Sequence, residues 1–475
     1  MRSRPRLVNA FRRWTAAFHP EDPGSRAAYP AILPGAAELR TLIEDVVSSA
    51  GVPGAALSVV VDGRAVNVAT GVRSMDAYHP LHESALFEPL GLTKLAVAGV
   101  VHELARAGTL GLVDPIERWL PELAGRETGK DISIGHLLSH TSGYVGENPA
   151  DLDNLFHYPW EGFAAYFRST PQAHVPGTVF DLVESEYAVL GEVVRRSAGD
   201  EALDLAGEML FERLPSTRCD DDPEAAGGTV PGHAFTPFEG GFSAIAGDRP
   251  CGFWAPSLLG PAMTTEQMAR LAELVLVPPA SPNCYPGLAK RVVRLPVQLR
   301  GARCAEVPQS FGLGWGEFVP GVIGLSSEGM GQCNAVRVLP ERSISLAVVL
   351  NCQAPHVRDD IVAEILAMAG GVELSTPASR IELDRPAEQF EGVYRAAHWQ
   401  TLQVSREGDG LRVTNGYNPW LPVEHTAAGA MLNILDPRIC ALAEGSEDWS
   451  LGFFPDPSTG RPCLMAGLSA FAKIE

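Results

Sequence analysis

The stretch that decides the fold is Gly54-Ala-Ala-Leu-Ser-Val-Val-Val-Asp-Gly-Arg-Ala-Val-Asn-Val-Ala-Thr-Gly71. Two runs rich in β-branched residues flank Asp62-Gly63, a dipeptide that favours the tight turn of a hairpin. We therefore predict an antiparallel β-hairpin here. Residues 36–49, just before it, have the apolar spacing of an amphipathic helix, which would pack on the hairpin.

A second pair of strands lies far along the chain. Residues 335–339 and 343–350 are apolar and β-branched, and Pro340-Glu341 between them predicts a turn. Residues 356–369 then have helical spacing, while residues 95 to about 275 are mostly helical in pattern. This order predicts an α/β (α+β) fold, with an antiparallel sheet flanked by helices and an inserted helical subdomain.

The pattern changes after Pro386, where short alternating strands are separated by turn signals. This indicates a small C-terminal all-β domain, a barrel or sandwich, over residues 386–475. Residues 371–385 are the predicted linker, and residues 36–370 form the predicted main domain. Residues 1–35 form an arginine-containing N-terminal arm without the apolar segment of a secretory signal peptide.

Composition narrows the class of function. The formal net charge of −20 over 475 residues argues against nucleic acid as a partner, because phosphate binding needs clustered cations. No apolar run is long enough for a membrane span, so we expect a cytoplasmic protein without a membrane partner. The eight cysteines show neither Cys-x-x-Cys spacing nor a cluster with histidine, so we expect no metal and no cofactor. The oligomeric state is not determined by the sequence.

Several framework segments carry a family resemblance. They are Pro53-Gly-Ala-Ala-Leu-Ser-Val59, Leu112-Val-Asp-Pro-Ile-Glu-Arg-Trp-Leu-Pro-Glu-Leu123, Ile132-Ser-Ile-Gly-His-Leu-Leu-Ser-His-Thr-Ser-Gly143, Pro176-Gly-Thr-Val-Phe180 and Phe311-Gly-Leu-Gly-Trp315. Together they resemble the serine β-lactamase and penicillin-binding protein-like superfamily, of the class C β-lactamase, DD-peptidase and esterase type. The resemblance implies a β-lactamase/transpeptidase-like fold for the main domain, and a lipocalin-like fold for the C-terminal domain.

The three catalytic motifs of that superfamily are altered. Gly91-Leu-Thr-Lys94 stands where the family has Ser-x-x-Lys, and Leu182-Val-Glu184 where it has Tyr-x-Asn. The third motif, normally His or Lys followed by Thr-Gly, falls at Ser327-Glu-Gly329. None of the four lysines has a serine three residues before it, so no displaced copy of the first motif exists. Acyl-enzyme chemistry from position 91 is therefore not expected, because glycine has no nucleophile.

The altered positions still predict a site. We expect Lys94 to contact Glu184 in the cleft and Glu328 to lie on the opposite wall, as a catalytic set that moves protons. The substrate- and oxyanion-binding residues that we expect are Gly91 and Met330, through their backbone amides, with Ser327, Tyr144 and Leu182. The alternatives are a lysine–glutamate salt bridge that only fills space, a solvated Glu328 and aromatic residues that belong to the core.

Three functions fit this pattern. The first is a repurposed enzyme that performs non-covalent acid–base chemistry, of the cyclase, isomerase or lyase type, on a carbonyl-containing small molecule in a secondary-metabolite pathway. The second is a pseudoenzyme that binds a ligand or a protein without turnover. The third is a hydrolase or transacylase with a displaced serine at Ser326 or Ser327. It is ranked lowest, because neither serine is expected beside Lys94 at a helix start. The fold alone does not separate these functions.

Overall fold

The computed structural model describes most of the main domain and much of the C-terminal region. The described residues are 32–76, 78–124, 132–144, 159–170, 172–199, 229–236, 241–245, 262–276, 293–295, 299–300, 307–372, 381–382, 386–396, 401–407, 410–415, 429–436, 439–442, 450–466 and 469–474. The predicted N-terminal arm lies outside them, apart from its last four residues.

The main sheet has eight antiparallel strands in the order β2-β1-β11-β10-β9-β8-β7-β5. Its strands are β1 (Gly54–Val61), β2 (Arg64–Gly71), β5 (Val293–Arg294), β7 (Ser310–Phe311), β8 (Gly316–Val319), β9 (Val322–Gly329), β10 (Gln332–Leu339) and β11 (Ile344–Leu350). A separate two-stranded sheet pairs β3 (His233–Thr236) with β4 (Gly241–Ala244). The sequence therefore predicts both strand pairs of the main domain correctly.

The predicted hairpin has its turn at Asp62 and Gly63, the two residues that favour a tight turn. The register pairs Val61 with Arg64, so Asp62 and Gly63 form a two-residue loop. Both loop residues have positive φ angles, 50° and 75°, which is the backbone geometry of the tight hairpin turn that Asp-Gly favours. A glycine meets this requirement without steric strain, and the turn thereby fixes the register of the two strands.

Helices cover both faces of the main sheet. They are α1 (Ala36–Ala50), α2 (Thr93–Arg106), α3 (Ile134–Leu138), α4 (Trp160–Ser169), α5 (Ser185–Ala198), α6 (Thr265–Leu276) and α7 (Pro355–Gly370). α1 and α7 pack on one face, and α6 packs on the other with α2 beside it. Because β1 is buried on both faces, every one of its residues is buried, which explains its nearly continuous apolar sequence. α3, α4 and α5 add the helical part that the sequence predicts between the two groups of strands.

A second sheet contains ten antiparallel strands in the order β12-β17-β16-β15-β14-β13-β20-β19-β18-β6. Its strands are β6 (Leu299–Arg300), β12 (Ile381–Glu382), β13 (Gly392–Arg395), β14 (Thr401–Glu407), β15 (Gly410–Asn415), β16 (Gly429–Asp436), β17 (Ile439–Leu442), β18 (Ser450–Pro455), β19 (Pro462–Ala466) and β20 (Ser469–Lys473). Eight of these strands lie within residues 386–475, as the alternating pattern predicts. β12 comes from the predicted linker, and β6 comes from within the main domain's sequence.

No helix in the described part of the chain is long and apolar enough to cross a membrane.

Candidate functional site

The turn before α2 carries Gly91. Residues Leu90–Leu92 form a single 3-10 turn that leads directly into the helix, and Lys94 lies in the first turn of α2. Leu90 has a φ of 52°, a left-handed conformation that is strained for a residue with a side chain. The hydroxyl of Thr93 donates to the carbonyl oxygen of Leu90 at 3.0 Å and so helps to hold this strained turn. The backbone amide of Gly91 is thereby fixed at the start of the helix.

Ser327 occupies the space beside Gly91. The Gly91 amide donates a hydrogen bond to Ser327 Oγ at 2.8 Å. A Cβ atom built on Gly91 would lie 2.8 Å from Ser327 Oγ and 3.5 Å from Lys94 Nζ. The hydroxyl that the first motif lacks is thus partly replaced in space by a hydroxyl from β9. The premise that neither serine lies beside Lys94 at a helix start is wrong for Ser327.

The two faces of β9 separate the residues of the third motif. Ser327 is paired with Asn334 of β10, whose side chain donates to the carbonyl oxygen of Glu88 on the cleft side.

Side chains alternate along a strand, so Ser326 and Glu328 point to the opposite face of the sheet. Glu328 lies 3.4 Å from Arg358 of α7, and Ser326 accepts a hydrogen bond from Arg337. The expected position of Glu328 on the far wall of the cleft is therefore corrected: its side chain faces α7.

Lys94 and Glu184 are brought together as expected. Lys94 Nζ donates to Glu184 Oε1 at 2.6 Å, and the two groups form an ion pair. The Lys94 side chain is 6% exposed, whereas that of Glu184, which immediately precedes α5, is 32% exposed. The lysine is the sequestered member of the pair, and the carboxylate is the member that a ligand in the cleft can reach.

Beneath this pair lies a layer of buried polar groups. Lys94 Nζ stands 5.7 Å from the ring centre of Tyr187, whose hydroxyl donates to the carbonyl oxygen of Leu138. Burial, together with the charges of Glu186 and Glu184, raises the pKa of Tyr187 well above its ordinary value.

His140 is the second buried group. Its Nδ1 atom lies 2.7 Å from Glu186 Oε2. Burial and the nearby charge of Lys94 hold the pKa of this histidine well below its ordinary value. Tyr187 and His140 are thus neutral structural groups.

Tyr144, Leu182 and Met330, the other predicted binding residues, lie in three different environments. Tyr144 is fully buried and packs edge-on against Phe167 with ring centres 4.7 Å apart, so it belongs to the core and does not line an open cleft. Leu182 is partly buried and packs against the main core cluster. Met330 lies in the turn between β9 and β10 with a φ of 48°. This turn lies beside Leu90, since a Cβ built on Gly329 would be 3.7 Å from the Leu90 side chain.

The assembled cleft offers a defined set of chemical groups. It has one reachable carboxylate, Glu184, one sequestered ammonium, Lys94, one backbone donor, Gly91, and one hydroxyl, Ser327. Such a set can transfer a proton and stabilise negative charge on an oxygen. Within the described ranges, the single group of three metal-ligating side chains lies elsewhere, at His174, Asp456 and Cys463.

The family model described as "Beta-lactamase" matches residues 39–369 of this chain. The chain belongs to the β-lactamase family. This β-lactamase-family chain is similar to penicillin-binding protein 4 of Amycolatopsis lactamdurans, with 27% identity over 344 residues, which are 68% of this chain and 87% of the relative. It is also similar to esterase EstB of Burkholderia gladioli, with 29% identity over 166 residues, which are 32% of this chain and 42% of the esterase.

Solved structures agree with the β-lactamase-family fold. The crystal structure of SurE superimposes with a TM-score of 0.68 at 20% identity, covering 92% of this chain and 99% of SurE. An octameric penicillin-binding protein homologue from Pyrococcus abyssi superimposes with a TM-score of 0.58 at 18% identity, with the same two coverages. At these identities the neighbours show the fold: a mixed α/β architecture of antiparallel sheets and helices, extending over the C-terminal region.

Proposed function

We propose that the cleft performs acid–base chemistry on a carbonyl-containing small molecule without a covalent intermediate, as a cyclase, isomerase or lyase. The observation that carries this proposal is the 2.6 Å contact between Lys94 Nζ and Glu184 Oε1, with the lysine sequestered and the carboxylate open to the cleft. At the adjacent turn, Gly91 supplies a backbone donor and no side chain that could attack a carbonyl.

The groups support a simple proton-transfer mechanism. The Glu184 carboxylate accepts a proton from the carbon next to a substrate carbonyl, and the electron pair of that C–H bond moves onto the carbonyl oxygen. The Gly91 amide then donates to this oxygen in place of Ser327 Oγ, and the charge of Lys94 stabilises the resulting enolate. Return of the proton to another carbon completes an isomerisation, and departure of a β-substituent with its electron pair completes an elimination.

Backbone strain on both sides of the cleft is consistent with a working site. Leu90 and Met330 both have φ angles near 50° although neither is glycine. Each such residue costs on the order of 1–3 kcal/mol, and strained residues of this kind cluster at active sites. The strain falls next to Gly91, the proposed backbone donor, and next to the third motif.

The experiment starts from a ligand screen on the full chain. SurE has been crystallised with D-Leu, so the first compounds are D-Leu and its N-acyl, ester and amide derivatives, with penicillins and simple esters for comparison. Ligands found by thermal shift are then incubated with the protein, and products are measured by liquid chromatography and mass spectrometry. We expect Glu184→Gln and Lys94→Ala to lower turnover about 10²–10⁴-fold. Glu161→Gln, which changes an exposed carboxylate on α4, is the matched control.

Two results would overturn the proposal. Unchanged turnover in both Glu184→Gln and Lys94→Ala would show that neither side chain takes part in the reaction. A ligand that stabilises the wild-type protein and is never converted would instead support a pseudoenzyme that only binds.

A second candidate function is supported by a separate observation. Ser327 Oγ accepts the Gly91 amide at 2.8 Å, so a serine hydroxyl does lie at the helix start. A hydrolase or transacylase that uses Ser327 is ranked second because the serine needs a base, and Lys94 is engaged with Glu184. Tyr187 is also a poor base, because its hydroxyl is committed to Leu138 and its pKa is raised.

A fluorophosphonate probe separates the two candidates. Non-covalent chemistry predicts no adduct in the intact mass of the wild-type protein. A stoichiometric adduct that is lost in Ser327→Ala and kept in Ser326→Ala would establish the displaced serine and reject the first candidate.

A further inference from the structure

We infer that His174, Asp456 and Cys463 form a buried site for a zinc ion or a similar transition metal, joining the segment before α5 to the β18–β19 hairpin. One potential ligand atom from each side chain lies within 4.8 Å of the other two. All three residues are buried, with exposures of 4%, 4% and 1%. The site is separate from the cleft, so the inference is independent of the chemistry proposed there.

Asp456 is oriented by its own turn. One carboxylate oxygen, Oδ1, accepts hydrogen bonds from the Ser458 amide at 2.8 Å, the Ser458 hydroxyl at 2.6 Å and the Thr459 amide at 2.8 Å. The other oxygen, Oδ2, faces His174 Nδ1 at 2.6 Å. Three local hydrogen bonds therefore orient Oδ2 towards Nδ1, as outer hydrogen bonds orient the ligands of a metal. A bound ion would replace the hydrogen bond between these two atoms with one bond to each of them, and any proton between them would go to solvent.

His174 is held from the other side. Its backbone amide donates to the carbonyl oxygen of Gly143 at 3.2 Å. Its second ring nitrogen, Nε2, is buried and has no hydrogen-bond partner among the described residues. This nitrogen points away from Asp456, so Nδ1 is the ring nitrogen that would bind the ion together with Asp456.

Cys463 completes the donor set. A bound Zn²⁺ would displace the thiol proton to solvent and take the thiolate as a ligand. One thiolate, one carboxylate and one neutral imidazole give a neutral complex with a divalent cation, which suits a buried pocket. Nitrogen, oxygen and sulfur donors together favour zinc over calcium or magnesium.

The role that follows is structural. The three side chains are too buried for a substrate to reach, so the ion would join two parts of the fold that are far apart in sequence. His174 and Asp456 are 282 residues apart. The metal would fix the C-terminal sheet against the loop that carries His174.

The test uses the purified full chain, incubated with zinc chloride, desalted and analysed for metal by mass spectrometry. We expect about one zinc per chain in the wild-type protein and in Cys333→Ala, a control at another buried free cysteine. Cys463→Ala should lose the zinc. Because that variant could fail to fold, the wild-type protein is also loaded with cobalt, and a thiolate-to-cobalt charge-transfer absorption is expected.

A wild-type chain that binds no zinc and shows no such absorption would overturn the site. Equal zinc content in folded Cys463→Ala and wild-type protein would also overturn it. Either result would leave His174 and Asp456 as a metal-free hydrogen-bonded pair between the two regions.

Discussion

Glu184 and Glu186 are two residues apart at the start of α5, yet they occupy very different environments. Glu184 pairs with Lys94 at the cleft, and its side chain is 32% exposed. Glu186 pairs with His140 inside the core, and both of those side chains are fully buried. The comparison shows that access to water, more than the chemistry of the pair, separates a candidate active group from a structural one.

Burial also changes what each pair contributes to stability. Removing one partner of a buried pair leaves a polar group with fewer hydrogen bonds and no access to solvent, which is destabilising. Removing the partner of a group that still reaches water costs much less. The buried pair should therefore be detected by unfolding experiments, and the cleft pair by binding and turnover.

The largest expected effect is on the buried pair. Glu186→Ala should lower the free energy of unfolding by about 3–5 kcal/mol, because it removes the hydrogen bond to His140 and leaves a cavity in the core. Lys94→Ala should cost only about 1–2 kcal/mol, since the Glu184 carboxylate that it leaves behind is 32% exposed and keeps access to water through the cleft. Urea unfolding of both variants checks the difference. Equal losses would show that the two pairs do not differ in the way their exposures indicate.

Acid should weaken the folded state through the buried histidines. Burial lowers the pKa of His102, on α2, to about 4, from 6.5 in an unfolded chain. Between these values the unfolded chain binds more protons, so stability is full above pH 6.5 and falls as the pH drops towards 4. The difference corresponds to about 3 kcal/mol, and His140 adds to it in the same direction.

Unfolding free energies measured in urea from pH 7 to pH 4.5 test this dependence. His102→Gln should flatten part of the curve, because glutamine does not titrate. A variant with the same slope as the wild-type protein would assign the acid sensitivity to other groups.

The smallest expected effect on stability is at the cleft turn. Gly91→Ser should cost about 1 kcal/mol, because the new Cβ would lie 2.8 Å from Ser327 Oγ and the Ser327 side chain must rotate away. Combining Gly91→Ser with Ser327→Ala should restore the lost stability. Thermal unfolding of the single and double variants measures the coupling, and additive losses would mean that the two positions do not compete for space.

The fold could be predicted where its signals are local. The Asp62-Gly63 turn and the apolar runs of β10 and β11 specify strands from neighbouring residues. The contact of Lys94 with Glu184 was predicted from the family resemblance. The position of Glu328 was predicted wrongly, although the alternation of strand side chains places it on the face opposite Ser327.

Other parts of the site could not be predicted from one sequence. The contact between Gly91 and Ser327 joins a helix start to a strand 236 residues later. The pairing of His174 with Asp456 depends on how the second sheet packs against the main domain. Neither contact leaves a local pattern, because each arises from the tertiary arrangement of distant segments.

The pairing of β6 with β18 has a consequence for how the chain can be divided. β6 (Leu299–Arg300) comes from within the main domain's sequence, yet it forms the edge of the second sheet beside Ser450–Leu451. A chain cut after α7 would therefore lose the partner of this strand and expose its unpaired backbone groups. The C-terminal sheet is in this sense joined to the rest of the molecule by backbone pairing, and its exchange between proteins as a module would break that pairing.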